Sequence, residues 1–276
     1  MDRDRPPRPP LLYGLDFTSA PSRRKPITLA GGRIEGGRLI LERLDTLPDW
    51  AAFEAFLDDP APKIAGFDLP LGMPLPLREH FGRDTAALAA HALERGPIAW
   101  VGELRRYRGP NGERELFRPC DRAARACSPM KGFYIPVARM YAQGAGRIRR
   151  AGWRVAWEPG PSERIAVEAY PALVAEAVTG DRSFRSYKSD TSPRPDHRPR
   201  REAIVAGLAR PNAYGFTVEN LPADLANDPG ADRLDAVLAL LQTAWASGRT
   251  DLGVPPGTDP FEGSISDPAL LGTVAA

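Results

Sequence analysis

Leu11-Leu12-Tyr13-Gly14-Leu15-Asp16-Phe17 is a short apolar run carrying one acid. A Ser/Pro/Arg cluster ends it, as expected of a buried strand. Two later runs repeat its pattern of small residue, bulky apolar residue, acid. Gly66-Phe67-Asp68 lies in residues 63–69, which Pro70 stops, and Ala166-Val167-Glu168 lies in residues 164–170. Side chains alternate across a strand, so each small residue shares a face with the acid two positions on and leaves room beside it. Each acid stands near the carboxyl end of its run, where α/β sheets place their sites.

Outward from these runs, residues 27–34 and 38–44 flank Glu35-Gly36-Gly37 and read as an antiparallel hairpin. Trp50, Phe53, Phe56 and Leu57 recur at helical spacing behind Pro48-Asp49. Residues 85–94, 134–151, 171–178 and 200–208 also read as helices, with Pro171 suited to a first turn. Residues 231–247 form the clearest helix, because Leu234, Val237, Leu238, Leu241 and Trp245 fall on one face. Asp228-Pro229 reads as its cap and first-turn proline. Residues 180–199 read as a mobile loop. A hairpin followed by helix-separated strands predicts a mixed sheet with helices on its faces, an α/β fold. The expected organisation is a disordered arm at 1–10, one domain over 11–268 with a basic helical or loop insertion at about 97–130, and a tail at 269–276.

The chain has 276 residues, 42% hydrophobic and 26% charged, an ordinary globular composition. No apolar run approaches the ~18 residues of a membrane span, and the Arg/Pro-rich start is no secretory signal. Cys120 and Cys127 are too few for a disulfide framework or a four-ligand zinc site. The cytoplasm is the default compartment. Net charge is +2 but unevenly spread: residues 101–154 carry thirteen Lys/Arg against four Asp/Glu, and residues 182–201 seven against two. An acidic body with two basic segments suits a polyanion-binding rim around an acidic centre, and equally solvated loops in an Arg-rich chain.

Carboxylates in apolar strands are costly unless paired. Three in similar settings repel and raise a pKa unless a cation gathers them, and Mg²⁺ or Mn²⁺ is the simplest such cation. On the last helix Asp235 borders the apolar stripe, with Asp232 further toward solvent, so Asp235 is placed to face a sheet edge. Against this, Asp16 and Asp68 can be satisfied by loop amides, Glu168 by a structural Arg, and Asp232 by the helix dipole.

Gly14-Leu15-Asp16-Phe17-Thr18-Ser19, Gly66-Phe67-Asp68-Leu69-Pro70, Val167-Glu168-Ala169-Tyr170-Pro171, Asp232-Arg233-Leu234-Asp235-Ala236 and Glu262-Gly263-Ser264-Ile265 together resemble domain-of-unknown-function family 429. That family is described as predicted nucleases with an RNase H-like fold. The resemblance implies a mixed five-stranded sheet whose first three strands are antiparallel. It matches Asp16 to the acid of the first strand, Asp68 to that of the fourth, and Asp235 with Asp232 to an acidic pair on the last helix, similar to Holliday-junction resolvases. Glu168 is an extra acid, and Glu54 only a weak match to the acid of the first helix. The implied chemistry uses two Mg²⁺ or Mn²⁺ ions about 3.5–4 Å apart. Asp16, Asp68 and Asp235 are then catalytic, and Glu168 or Asp232 completes the metal shell.

Lys131, Arg139, Arg147, Arg149, Arg150 and Arg154, with Lys188, Arg198, Arg200 and Arg201, are candidate phosphate contacts for a nucleic-acid partner. Tyr107 and Tyr134 are candidates to stack bases or to pack. His80, His91 and His197 have no ligand spacing. Two other readings stand beside the nuclease. One is an inactive RNase H-like module that binds nucleic acid or protein. The other is an actin-like phosphotransferase using Asp16-Phe17-Thr18-Ser19 as a phosphate loop, although that stretch lacks the expected glycines.

Overall fold

The structure is a computed structural model and describes residues 10–189 and 191–272. The expected arm, apart from Pro10, and positions 273–276 of the expected tail lie outside the described residues.

Three strands open the chain: β1 (Leu11–Asp16), β2 (Ile27–Glu35) and β3 (Arg38–Leu47). The β2–β3 turn consists of Gly36 and Gly37, at φ 56° and 77°. A two-residue hairpin turn with positive φ at both central positions favours glycine at each. Helix α1 (Trp50–Asp58) starts where the Asp49 carboxylate accepts the Ala52 amide at 2.9 Å. Strand β4 (Lys63–Phe67) leads to α2 (Pro76–Phe81), α3 (Thr85–Arg106), α4 (Pro119–Ala124) and α5 (Val137–Arg150). Strands β5 (Arg154–Val155) and β6 (Arg164–Glu168) precede α6 (Pro171–Thr179) and α7 (His197–Leu208). Strand β7 (Thr217–Glu219) and helix α8 (Asp232–Ser247) follow.

The fold is mixed α/β. Its sheet runs β5-β6-β4-β1-β2-β3-β7, with β1–β2 and β2–β3 antiparallel and the other pairs parallel. Among the described residues there are seven strands where the resemblance implies five. The two extra ones, β5 and β7, sit at the edges and are too short for an alternating pattern to reveal them.

Alternation splits the strand residues between two cores. Tyr13, Leu15, Ala65 and Phe67 pack with α1, α3 and α5, whereas Leu12, Ile64 and Val167 pack with α6, α7 and α8. Helix α8 lies directly against β1, β2 and β4, and two glycines make this approach possible. A Cβ on Gly14 would stand 2.0 Å from the Leu240 amide nitrogen, and one on Gly66 would stand 2.2 Å from the Thr243 hydroxyl. The room beside the two acids is therefore filled by the helix itself.

Other segments depart from the expected pattern. Helix α3 continues twelve residues past the expected 94, bending at Gly96 (φ 74°) and restarting at Pro97. Residues 97–130 are not a plain surface excursion, because Arg118, Cys120 and Asp121 within them are buried. Asp228 is not the capping position of α8, and Pro229 precedes the helix. Ala231 occupies the cap position with φ 60°, while the Asp228 carboxylate accepts the Gly230 and Asp232 amides. Ile265 forms a parallel bridge with Glu168, so the end of the chain is tied to the sheet.

Candidate metal centre

Asp16 ends β1, and Asp68 follows β4. Gly14 is in register with Gly66, which brings both acids to the same sheet face and the same sheet end. Asp235 reaches them from the first turn of α8. One carboxylate oxygen from each of the three lies within 4.8 Å of the others. Asp235 is completely buried, Asp16 is 7% exposed, and Asp68 keeps partial contact with water. The three groups form the floor of a cavity of about 720 Å³ that Thr18, Ser19, Tyr170 and Lys188 also line.

A cation is already present. Lys188 Nζ pairs with Asp235 Oδ2, and Tyr187 Oη donates to Asp235 Oδ1. Burial drives the Asp16 carboxyl well above the usual carboxylate range, opposed by Lys188 and reinforced by Asp235, Asp232 and Asp68. Burial likewise pushes Asp68 up to about 7, with Lys188 opposing and Asp235 and Glu168 adding to it. Asp235 is raised by burial and held back by Lys188 and Tyr187. Burial would lower the Lys188 ammonium, but Asp235, Asp16 and Asp68 outweigh it and hold the group above its ordinary value. The Lys188 side chain remains 41% exposed, so its stem has a path to solvent.

Asp232 stands one turn before Asp235 and pairs with Lys25 Nζ at 2.7 Å. Glu168 does not join the cluster. Phe67, not Asp68, is in register with Glu168, and this one-residue offset sends its side chain to the opposite face. There the Arg118 guanidinium clamps both of its oxygens, at 2.5 and 2.8 Å, and the Leu71 amide donates to it at 2.8 Å. Arg118 also binds Asp121, at 2.8 and 3.0 Å. The metal role expected for Glu168 is thus replaced by a buried ion pair.

The expected phosphate contacts scatter. Arg201 is buried and donates to the carbonyls of Ala226 and Tyr187, so it braces the Lys188 segment instead of facing a polymer. Arg147 and Arg150 share Glu54, and Arg147 also lies 4.0 Å over the Trp50 ring. Arg149 pairs with Glu158 and Arg198 with Glu202. Arg200 pairs with Asp196, Arg154 donates to the Ala156 and Glu158 carbonyls, and Lys131 Nζ reaches Cys127 Sγ. Arg139 is half-buried. Of the expected contacts, Lys188 alone touches the acidic cluster. Tyr107 is packed in a core, whereas Tyr134 is fully exposed at the cavity rim. His91 pairs with Glu103, and His197 accepts from Arg194.

Lys25, Tyr187 and Arg118 carry no sequence motif. One signal was available for the lysines: the chain has only four among its 37 basic residues. Two of those four contact the acidic residues of this centre.

A family model matches residues 14–259, a span that includes all three clustered acids. The chain belongs to the family described as Protein of unknown function (DUF429). Neither a curated protein nor a solved structure matches it. What this DUF429 chain offers chemically is a set of three hard oxygen donors with a monovalent ammonium among them. That donor set could hold a divalent cation, and in this structure Lys188 supplies the positive charge beside it.

Proposed function

We propose that the chain is a metal-dependent phosphodiester hydrolase, a nuclease built on an RNase H-like core. The observation that carries the proposal is the convergence of Asp16, Asp68 and Asp235, from three separate elements, at the floor of one open cavity. The inner strands β3-β2-β1-β4-β6, with the first three antiparallel, agree with the five-stranded arrangement that the resemblance implies.

In this reading Asp16 from β1, Asp68 after β4 and Asp235 from α8 would together hold the ions. Asp232 extends the set when Lys25 releases it. Bound Mg²⁺ or Mn²⁺ would activate a water and neutralise charge on the phosphate. Lys188, paired with Asp235 in this structure, would be placed to neutralise a phosphate oxygen where that carboxylate holds metal, since a fixed cation at developing charge stabilises the transition state. Tyr187 and Arg201 hold the segment from which Lys188 reaches. The proposed partner is nucleic acid. The proposed compartment is the cytoplasm, where the free thiols of Cys120 and Cys127 stay reduced.

The test is Mn²⁺-dependent cleavage of a panel of DNA and RNA oligonucleotides. Asp16→Asn should abolish cleavage while circular dichroism stays unchanged. Equal cleavage by the variant contradicts the proposal.

The Lys188–Asp235 pair also favours a second reading, a catalytically inactive module in which lysine permanently replaces the metal. The two readings differ in how Lys188→Met responds to metal.

A further inference from the structure

The cavity that holds the acidic cluster has a second wall of opposite character. Phe133, Tyr134 and Ile135 are consecutive and all exposed, at 47%, 102% and 54%. Tyr134 and Ile135 line the cavity together with Asp16, Asp68 and Asp235, and Met140 continues the apolar surface. Three consecutive exposed apolar residues are a poor choice for a surface unless something binds there.

This lip is fixed from below. The Lys131 amide donates to Ser128 and the Ala138 amide to the Lys131 carbonyl, which closes the loop at 2.9 Å. The Arg105 guanidinium lies 4.0 Å over the Phe133 ring. The tip is therefore presented to solvent instead of collapsing onto the body. Tyr134 has φ 61°, a left-handed conformation that strains a bulky residue. Its ring gives the fold no packing in return, and glycine would serve the backbone better. An aromatic ring that the fold does not need, held in strained backbone at the mouth of an acidic cavity, belongs to ligand binding.

We propose that Tyr134, flanked by Ile135, is a stacking platform for an unpaired nucleobase adjoining the phosphodiester that the acids address. This inference rests on the phosphodiesterase reading and adds the substrate class to it. Every base has a π-face, and stacking on an exposed aromatic needs no sequence readout. A base inside a duplex is already stacked on both sides and has no face to offer. The substrate is thus a single strand or a free nucleotide ester, not an intact duplex.

The test compares wild type with Tyr134→Ala, Tyr134→Trp and Tyr134→Gly. The substrates are a single-stranded 12-mer, the same strand with abasic positions, its duplex, and a dinucleotide, all with Mn²⁺. Tyr134→Ala should raise KM for the single strand about 5- to 150-fold, equivalent to roughly 1–3 kcal/mol of stacking, with kcat nearly unchanged. Tyr134→Trp should restore KM, and the abasic strand should bind wild type and Tyr134→Ala alike. With Ca²⁺ in place of Mn²⁺, a 2-aminopurine strand should be quenched on binding wild type and not on binding Tyr134→Ala. The melting temperature of Tyr134→Gly should equal or exceed that of wild type. A dinucleotide bound as tightly as the 12-mer identifies the free ester as the source of the base, and tighter 12-mer binding identifies the strand.

Cleavage by wild type with an unchanged KM in Tyr134→Ala, or with the duplex preferred, overturns the platform and leaves the phosphodiesterase standing. Failure of wild type to cleave or bind any of these substrates with metal overturns both. Destabilisation by Tyr134→Gly would mean that the ring serves packing, which also overturns the platform.

Discussion

Glu168 and Lys188 show how two charged residues near one sheet end take different work. Glu168 and Arg118 are almost wholly enclosed, and each satisfies the other. Removing one charge of such a pair typically costs about 3–5 kcal/mol, because the partner stays buried and alone. Glu168→Gln should therefore lose stability by about that amount in chemical denaturation while its Mn²⁺ affinity stays that of wild type. A fall in Mn²⁺ affinity with stability intact would restore Glu168 to the metal shell. Lys188 is a different case, because its stem is partly in water. Lys188→Met should cost about 1–3 kcal/mol at neutral pH without metal, discounted for solvent screening, and saturating Mn²⁺ should recover the loss. A variant that Mn²⁺ does not rescue would support the inactive module, in which lysine is the only cation the site accepts. Asp68 adds a pH dependence. Its carboxyl in the fold, at about 7, lies above the ordinary 3.8, so the folded state holds the proton more tightly than the unfolded chain. The resulting stabilisation is complete below about pH 4 and is lost as pH rises toward 7. Asp267, pushed up to about 6 by burial, acts in the same direction, so the informative quantity is a difference. Metal-free wild type should lose stability relative to Asp68→Asn across that window, and parallel curves would contradict the assignment.

At the scale of elements, the site depends on how closely α8 approaches the sheet. Gly14 and Gly66 lack the Cβ atoms that would collide with it. A methyl at position 14 would meet backbone atoms of Leu240 and Ala236, which can yield only if the helix shifts. Gly14→Ala should cost at least about 1–3 kcal/mol and weaken Mn²⁺ binding as Asp235 moves off Asp16. Retention of full affinity would mean that the helix position does not set the centre. The same elements explain what could be read beforehand. Asp16 and Asp68 were legible because each interrupts an apolar run at equivalent positions, and Asp235 because helical spacing puts it beside an apolar stripe. Glu168 looked equivalent to the first two because strand register is a tertiary property: a one-residue offset between β4 and β6 reverses the face, and no local pattern encodes it. The glycines were read as room beside the acids, and helix α8 is what fills that room. Tyr187 and Lys188 lie in a polar Ser/Arg/Pro/Asp segment that has no periodicity and is held by Arg201 and Arg200. Arg118 was hidden among surface-like arginines of the 97–130 stretch, and only burial distinguishes it.

For the molecule as a whole, no helix among the described residues is long and apolar enough to cross a membrane. The two basic segments do not act as uniform rims. Much of their charge is spent internally, in Arg118 on Glu168, Arg147 and Arg150 on Glu54, and Arg201 on backbone carbonyls. In the acidic cluster three carboxyl groups face one ammonium, and a ligand that binds only the folded state must stabilise the whole chain by mass action. Calorimetric titration of Mn²⁺ into wild type and into the Asp16→Asn/Asp68→Asn double variant, with thermal melts on the same samples, reads this directly. Wild type should bind Mn²⁺ and gain about 2.7 kcal/mol at a hundredfold excess over Kd. The double variant should melt cooperatively, bind none at this centre and gain nothing. Absence of binding in wild type, or equal binding in the double variant, would contradict the claim that these three acids form a divalent-metal centre.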